Sequence, residues 1–229
     1  MAEPWEVLFG DAMAILDSFT APEWVRWSFG GGTALMLQIG HRESHDINIF
    51  VNDPQMLGFV SPRLNDVAAS VCENYLESAG YTKLSIPPHG EIDFIVAPAL
   101  TSYPWKTVAV GGREVLLETP AEIVVKKLFF RADGLEVRDV FDVAATERLG
   151  DESLVRHAGL LAGKLDILER RLAIVSSRYQ TEAGTSLAVL PAGMPILGTG
   201  PQVVAEVFRE MRAKLGDDGP SLRRSGPHL

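Results

Sequence analysis

Three consecutive glycines, followed by an apolar stretch and an acidic segment, could carry phosphate and metal chemistry. Gly31 and Gly32 lead into Thr33 and an apolar run, and Asp46 opens the segment Asp-Ile-Asn-Ile-Phe-Val. The backbone N–H groups of a glycine turn can approach a phosphate closely, and the N-terminus of a following helix adds a positive dipole. The pattern therefore predicts a phosphate-binding turn ahead of a buried helix over residues 33–39.

A core strand is predicted over residues 46–51. Side chains alternate along a strand with period 2, so Asp46 and Asn48 share one face. Their carboxylate and amide oxygens are donors that Mg²⁺ accepts. An ionised aspartate among apolar neighbours is costly to bury without a partner. That cost favours a metal-binding role for Asp46 over a role in capping the preceding turn.

These residues resemble a known family. A glycine turn, about a dozen residues and then an acid-apolar-acid strand are typical of the nucleotidyltransferase superfamily that includes DNA polymerase β. The stretch GGGTALMLQIGHRESHDINIF is more specifically similar to AbiEii/AbiGii-type nucleotidyltransferases, the toxins of bacterial toxin–antitoxin pairs. A second block agrees, with Lys127 and Arg131 followed by Arg138-Asp139-Val-Phe-Asp142. The similarity covers roughly residues 25–148.

The resemblance implies a nucleotide-binding set. Gly31, Gly32 and Thr33 would hold the triphosphate through backbone N–H groups and one hydroxyl, and Ser44 matches the serine before the acid pair. The alternative for the glycines is a plain tight turn.

The resemblance also implies a metal site for Mg²⁺ or Mn²⁺. The superfamily takes a third carboxylate from a later strand, and Asp93 in Glu-Ile-Asp-Phe-Ile is the natural candidate, with Glu91 as a possible substitute. Asp46, Asn48 and Asp93 are thus the expected metal ligands. Asp93 would also take the proton from the attacking hydroxyl. The alternative is a half-exposed strand with both acids in solvent.

A basic and acidic helical block completes the implied site. Lys127 matches the lysine that holds nucleotide phosphate, and Arg131 lies four residues later on the same helical face. Lys126 is the neighbour with which Lys127 could be confused. Asp142 resembles a late acid of the family. For these residues a solvated basic face and a structural ion pair between Arg138 and Asp142 remain alternatives.

One position departs from the family pattern, which expects a second acid where this chain has Asn48. The amide keeps an oxygen donor but brings no charge, so metal affinity and turnover are expected to fall. Three explanations stay open: a deliberately inactivated protein, a natural member with one carboxylate fewer, or a natural pseudoenzyme.

Composition limits the classes of protein. The chain has 229 residues, a net charge of −9 and one cysteine, Cys72. The acidic balance argues against broad nonspecific binding of nucleic acid. No apolar run approaches the ~18 residues of a membrane helix, and the acidic first residues predict no signal peptide. The lone cysteine, expected to be a buried apolar residue, predicts a cytoplasmic protein without an internal disulfide.

We predict an α+β protein with the nucleotidyltransferase fold, in which a mixed β-sheet fills the N-terminal half and helices fill the C-terminal half. The catalytic core is placed at 1–118, a helical region at 119–215 and a disordered tail at 216–229. Periodicity and turn signals predict helices over 5–19, 33–39, 61–78, 119–131, 137–148, 151–176 and 202–215, and strands over 46–51, 81–86, 91–96, 106–110 and 114–118. An extended lead is expected over 24–29 and a long loop, or lid, over 177–201.

The function implied by the resemblance is transfer of a nucleoside monophosphate (NMP) from an NTP to an acceptor hydroxyl, with the 3′ end of a tRNA as acceptor and an antitoxin as partner. Two alternatives stay open. One is a binding protein that holds a nucleotide or RNA without transfer. The other is an enzyme on small molecules, like the aminoglycoside nucleotidyltransferases, because acidic pockets suit cationic antibiotics.

Overall fold

A computed structural model of the protein describes residues 3–20 and 26–217. The chain forms two compact units, Met1–Ile123 and Val124–Leu229. The described strands belong to the first unit and the second is helical, which confirms the predicted α+β class. Residues 24 and 25 of the predicted extended lead, and 218–229 of the predicted tail, lie outside the described residues.

Among the described residues, a seven-stranded mixed sheet organises the first unit. Its strands are β1 (Trp27–Gly30), β2 (Ile47–Val51), β3 (Asn74–Glu77), β4 (Tyr81–Ile86), β5 (Gly90–Val96), β6 (Trp105–Val110) and β7 (Arg113–Glu118). They lie in the order β3-β4-β5-β2-β1-β7-β6. Strand β2 runs antiparallel to β1 and parallel to β5. The end of β1 and the middle of β5 therefore flank the same residues of β2.

Four helices of the first unit lie within the described residues: α1 (Pro4–Asp17), α2 (Gly31–Ile39), α3 (Met56–Val60) and α4 (Asp66–Val71). Helix α1 begins at a capping box between Glu3 and Glu6. It buries the predicted apolar face, which includes Leu8, Ala12 and Ile15, and packs on β5 and β2.

The helix predicted over 61–78 is wrong. Ser61 and Pro62 lie in a turn, and Asn65 caps the short helix α4 by accepting hydrogen bonds from the backbone N–H groups of Val67 and Ala68. After Cys72 the chain turns extended and forms the exposed strand β3. Pairing with β4 outweighs local helical periodicity here. Cys72 is half-buried rather than fully buried, and burial raises the pKa of its thiol.

The second unit is built from helices. Helix α5 (Pro120–Phe130) spans the division between the units and is followed by α6 (Val137–Leu149), α7 (Ala158–Leu161), α8 (Leu165–Ser186) and α9 (Gly200–Asp217). Helices α6, α8 and α9 pack on one another. The first residue of α9 is Gly200. A larger residue would not fit there, because its Cβ atom would overlap the hydroxyl of buried Tyr179. Among the described residues, no helix is long and apolar enough to cross a membrane.

Three boundaries in this unit differ from the sequence-based prediction. The segment predicted as one helix over 151–176 is broken into short turns before α8 begins at Leu165. The first part of the loop predicted over 177–201 is helix, because α8 continues to Ser186 and buries Tyr179 and Ala183. Gly216 and Asp217, assigned to the tail, belong to α9.

Candidate active site

The glycine turn lies where β1 ends and α2 begins. Gly31 has φ +75°, a backbone conformation that favours glycine, and a Cβ atom there would overlap the side chain of Asn48. A Cβ atom on Gly32 would stand 2.7 Å from Ser44 Oγ. Gly31 therefore requires glycine, whereas a Cβ atom on Gly32 would force the Ser44 hydroxyl to shift. The turn is therefore bordered by an amide and a hydroxyl at the N-terminus of α2.

A buried carboxylate, which the sequence analysis did not single out, supports the turn. A Cβ atom on Gly30 would overlap the carboxylate of Glu118, the last residue of β7. Ser28 Oγ donates to Glu118 Oε1 at 2.8 Å, and Gln38 Nε2 donates to the Glu118 carbonyl at 2.9 Å. Glu118 is fully buried, so its contacts fix the junction between β1 and α2.

Thr33, Ser44 and Asp46 form a second support. Thr33 Oγ1 donates to the backbone carbonyl of Asp46 at 2.7 Å and lies 3.2 Å from Ser44 Oγ. Asp46 Oδ1 accepts the backbone N–H of Glu91 at 3.0 Å. Thr33 is fully buried, so its hydroxyl ties α2 to the residue just before β2. A phosphate contact of that hydroxyl stays a prediction.

One row of paired residues crosses the sheet beside the turn. Gly30 pairs with Asn48, Asn48 with Asp93, and Asp93 with Lys83. Asn48 Nδ2 donates to Asp93 Oδ2 at 3.2 Å. Paired residues point to the same face, and on β2 and β5 this face is the partly exposed one. The structure thus brings Asn48 and Asp93 together next to the glycine turn, and Asp46 lies just before β2.

Lys83 was missed by the sequence analysis and lies at the end of this row. Its Nζ atom is 2.5 Å from Glu91 Oε2 and 3.4 Å from Asp93 Oδ2. Burial lowers the pKa of the Lys83 ammonium, but Glu91 and Asp93 together outweigh burial and leave that pKa raised. Burial raises the pKa of the Asp93 carboxyl, Lys83 opposes the shift, and the charges of Glu91 and Asp46 add to it. The carboxylates are close enough to repel one another.

The donors of this site suit a divalent cation that also binds a nucleotide. Within residues 3–20 and 26–217, no group of three or more His, Cys, Asp or Glu side chains is arranged to hold a metal ion. Asp46 and Asp93 offer two carboxylates and Asn48 an amide oxygen. Mg²⁺ is commonly held by one or two carboxylates together with substrate phosphates. Burial is the main cause of the raised Asp93 pKa, and the negative charges of Glu91 and Asp46 add to it. A bound cation would relieve the repulsion from these charges.

A buried arginine borders the same turn. Arg42 Nη1 donates to the Glu43 carbonyl at 3.0 Å, and a Cβ atom on Gly32 would stand 3.0 Å from Nη2. Arg42 is 8% exposed. A positive charge beside a glycine turn and a helix N-terminus favours a bound anion.

The second unit contains the predicted basic block. Lys127 Nζ lies 2.9 Å from Asp139 Oδ1 and 2.7 Å from Asp142 Oδ2, and both carboxylates are fully buried. Arg131 Nη1 lies 3.3 Å from Asp139 Oδ1. Lys127, Arg131 and Asp142 are therefore brought together as an ion-pair cluster, with Asp139 at its centre.

Arg138 and Asp142, considered above as a structural ion pair, each contact a different partner. Arg138 Nε lies 3.4 Å from Glu136 Oε2 at the surface, whereas Asp142 accepts from Lys127. Side chains four apart on a helix can meet, but the buried acid is paired from the neighbouring helix. Lys126 is also buried, with 5% exposure.

Comparison with known protein families identifies the family of this chain. Residues 14–173 match the family model described as nucleotidyl transferase AbiEii toxin, Type IV TA system. No curated protein matches the chain.

One solved structure shows the same fold, and two others are more distantly similar. MenT4, a nucleotidyltransferase toxin from Mycobacterium tuberculosis H37Rv, is 14% identical, with a TM-score of 0.53 over 91% of this chain and 82% of that chain. An antigenic nucleotidyltransferase-like protein from Paracoccidioides brasiliensis is 14% identical over 80% of this chain and 91% of that one, with a TM-score of 0.40. The CdnE c-di-GMP synthase from Capnocytophaga granulosa is 10% identical over 91% and 80%, with a TM-score of 0.31.

Proposed function

Because the chain belongs to the AbiEii family of nucleotidyltransferase toxins, we propose that it transfers an NMP from an NTP to an acceptor hydroxyl, with the 3′ end of a tRNA as the acceptor. The observation that carries the proposal is the row of Asn48 and Asp93 beside the Gly31 turn. Membership of a toxin–antitoxin family implies an antitoxin partner and an NTP substrate.

The residues of the first unit have different roles in the proposed transfer. The glycine turn, the α2 N-terminus and Arg42 bind the triphosphate and hold it in line with the acceptor. Asp46, Asn48 and Asp93 would hold Mg²⁺ or Mn²⁺, which would supply positive charge to offset the negative charge of the phosphates. The acceptor oxygen forms a bond to the α-phosphorus. The bond between the α-phosphorus and the oxygen that bridges it to the β-phosphate breaks, and pyrophosphate leaves. Asp93 takes the proton of the acceptor hydroxyl.

The residues of the second unit enter the proposal through the family resemblance. Lys127 and Arg131 bind nucleotide phosphate, and Asp142 holds Lys127 in place through its ion pair. Lys127 is 13% exposed, so its ammonium is not wholly enclosed by the two aspartates.

Asn48 fits its place as an amide. It donates to Asp93 Oδ2 at 3.2 Å, a contact that a carboxylate could make only if one partner were protonated. A natural member of the family with one carboxylate fewer, an inactivated protein and a pseudoenzyme all fit this contact. Transfer by the unaltered chain, in the experiment below, would separate the first explanation from the other two.

The charge of the first unit favours a second candidate acceptor. Residues 1–123 contain sixteen Asp and Glu against six Lys and Arg. An acidic unit attracts cations and repels nucleic acid. Transfer to a cationic small molecule, as in the aminoglycoside nucleotidyltransferases, is therefore the second candidate function.

The test uses labelled NTPs, Mg²⁺ and either total RNA or a set of aminoglycosides. Label in RNA from the unaltered chain supports the proposal, and label in the aminoglycosides alone supports the second candidate. Label from Asn48→Asp only would mean that the amide inactivates the enzyme. Nucleotide binding without label from either protein would mean a binding protein and would overturn transfer.

A further inference from the structure

Lys83 is the cation that the structure itself provides to the proposed site. It lies on β4 directly opposite Asp93 of β5. Its side chain is 31% exposed and reaches two carboxylates, Glu91 at 2.5 Å and Asp93 at 3.4 Å. The shorter contact is to Glu91, the acid that would otherwise be a third carboxylate available to a divalent ion.

The hydrogen bonds of Asp93 are arranged on one oxygen. Asn48 Nδ2 and Lys83 Nζ both approach Oδ2, at 3.2 Å and 3.4 Å. Two donors on the same oxygen fix the rotation of the carboxylate. Neither donor contacts the other oxygen, Oδ1. Both donors come from strands that pair with β5, so the arrangement is built into the sheet.

We propose that Lys83 is a positioning residue that acts as the built-in counter-cation of this site. It withholds Glu91 from the metal, orients Asp93 and limits the site to a single divalent ion. Asn48 and Lys83 both reduce the negative charge of the site. Asn48 is an amide where the family pattern has an acid, and Lys83 neutralises one of the carboxylates that remain. The inference rests on the proposed function, since it concerns the metal that transfer requires.

A titration of the full chain with Mn²⁺ alone, monitored by electron paramagnetic resonance, tests this role without NTP or acceptor. The unaltered chain should bind at most one Mn²⁺. Lys83→Met keeps the side-chain length, removes the charge and frees Glu91, so Mn²⁺ should bind roughly tenfold more tightly. Lys83→Arg should restore the original affinity. Lys106→Met removes the same charge from an exposed position on β6 and should leave the affinity unchanged.

A double-mutant cycle separates the role of Glu91 from a general charge effect. In a Glu91→Gln background, Lys83→Met should tighten Mn²⁺ binding much less than it does alone, because the freed ligand is absent. A purely structural lysine would lower the melting temperature in Lys83→Met without tightening Mn²⁺ binding.

The outcomes distinguish this inference from the proposed function. Two Mn²⁺ ions on the unaltered chain, no tightening in Lys83→Met, or no Mn²⁺ binding by either protein would overturn the role of Lys83. Tightening as predicted, without NMP transfer to any acceptor, would leave Lys83 as the counter-cation of a divalent site and overturn the transferase proposal. NMP transfer without tighter Mn²⁺ binding by Lys83→Met would support the transferase proposal and overturn the role of Lys83.

Discussion

The side-chain oxygen of Asn48 occupies the space that a Cβ atom on Gly31 would need. The same amide donates through Nδ2 to Asp93 at 3.2 Å. One side chain therefore joins the phosphate-binding turn to the acidic strand. The pairing of β2 with both β1 and β5 dictates this contact, so the turn and the acids cannot move independently.

Gly31→Ala should damage the turn. The residue has φ +75° and no room for a Cβ atom, so we expect a loss of about 1–3 kcal/mol in the free energy of unfolding and a loss of NTP binding. Denaturant unfolding and calorimetry with NTP measure the two effects. Gly10→Ala, on the exposed side of α1 with nothing within 4 Å of its Cβ position, is the control and should gain about 0.5–1 kcal/mol. Equal stability of Gly31→Ala and the unaltered chain would contradict the account of the turn.

Asn48→Asp should make stability depend on divalent cations. The new carboxylate would lie near Asp93 Oδ2, now 3.2 Å from the amide nitrogen, and like charges this close repel. We expect a lower melting temperature than that of the unaltered chain without metal and a larger rise on adding Mg²⁺. The exposed Asn74→Asp on β3 controls for added charge. Identical Mg²⁺ responses in Asn48→Asp and the unaltered chain would argue against a cation at this position.

Lys127→Met should destabilise the second unit much more than Arg131→Met. Lys127 is paired with two fully buried carboxylates, and removing one partner of a buried ion pair costs about 3–5 kcal/mol. Arg131 is 38% exposed and lies 3.3 Å from Asp139, so its removal should cost at most about 1 kcal/mol. Urea unfolding measures both. If the two variants were equally stable, the buried cluster would not be a stabilising element.

Sequence patterns predicted the elements of the site that depend on local signals. The glycine turn, the strand with Asn48 and the strand with Asp93 follow from spacing and alternation. The turn–helix–strand segment is read from local signals alone, because glycine, a buried apolar run and alternating side chains each act over a few residues. The helix over 61–78 failed because pairing of β3 with β4, a tertiary contact, outweighed periodicity.

The role of Lys83 depends on the register between β4 and β5, which the sequence analysis did not assign. In the structure Gly90 joins β5 and pairs with Ile86, so Lys83 faces Asp93. A slip of one residue moves a side chain to the other face of the sheet. Glu118 was missed for a similar reason, since its contact with Gly30 joins strands that are far apart in the chain.

The network of Arg212 gives a pH dependence to the stability of the α8 and α9 pair. Hydrogen bonds from Arg212 lower the pKa of Asp166 and of Glu169 below their ordinary values of 3.8 and 4.5. A carboxyl whose folded-state pKa is lowered adds stability above the ordinary pKa, and that stability is lost as pH falls through the folded-state pKa. Arg212→Met should therefore lower the melting temperature slightly at pH 7, and the difference should shrink as pH falls below the ordinary pKa values and vanish below the lowered folded-state ones.

Scanning calorimetry across this pH range checks the Arg212 prediction. Arg209→Met, which removes a 72% exposed arginine 4.0 Å from Glu206, should show a smaller change with pH. A difference between Arg212→Met and the unaltered chain that grows on acidification would have the wrong sign for this network.

The central claim is tested at Asp46, because this residue lies just before β2 beside the turn and its negative charge acts on Asp93. The most direct measurement is transfer of labelled NMP from NTP to RNA by the unaltered chain and by Asp46→Asn, with Asp66→Asn at the exposed start of α4 as the matched control. We predict transfer by the unaltered chain and Asp66→Asn, and a loss of at least roughly a hundredfold in Asp46→Asn. Undiminished transfer by Asp46→Asn would show that the chemistry lies elsewhere in the molecule.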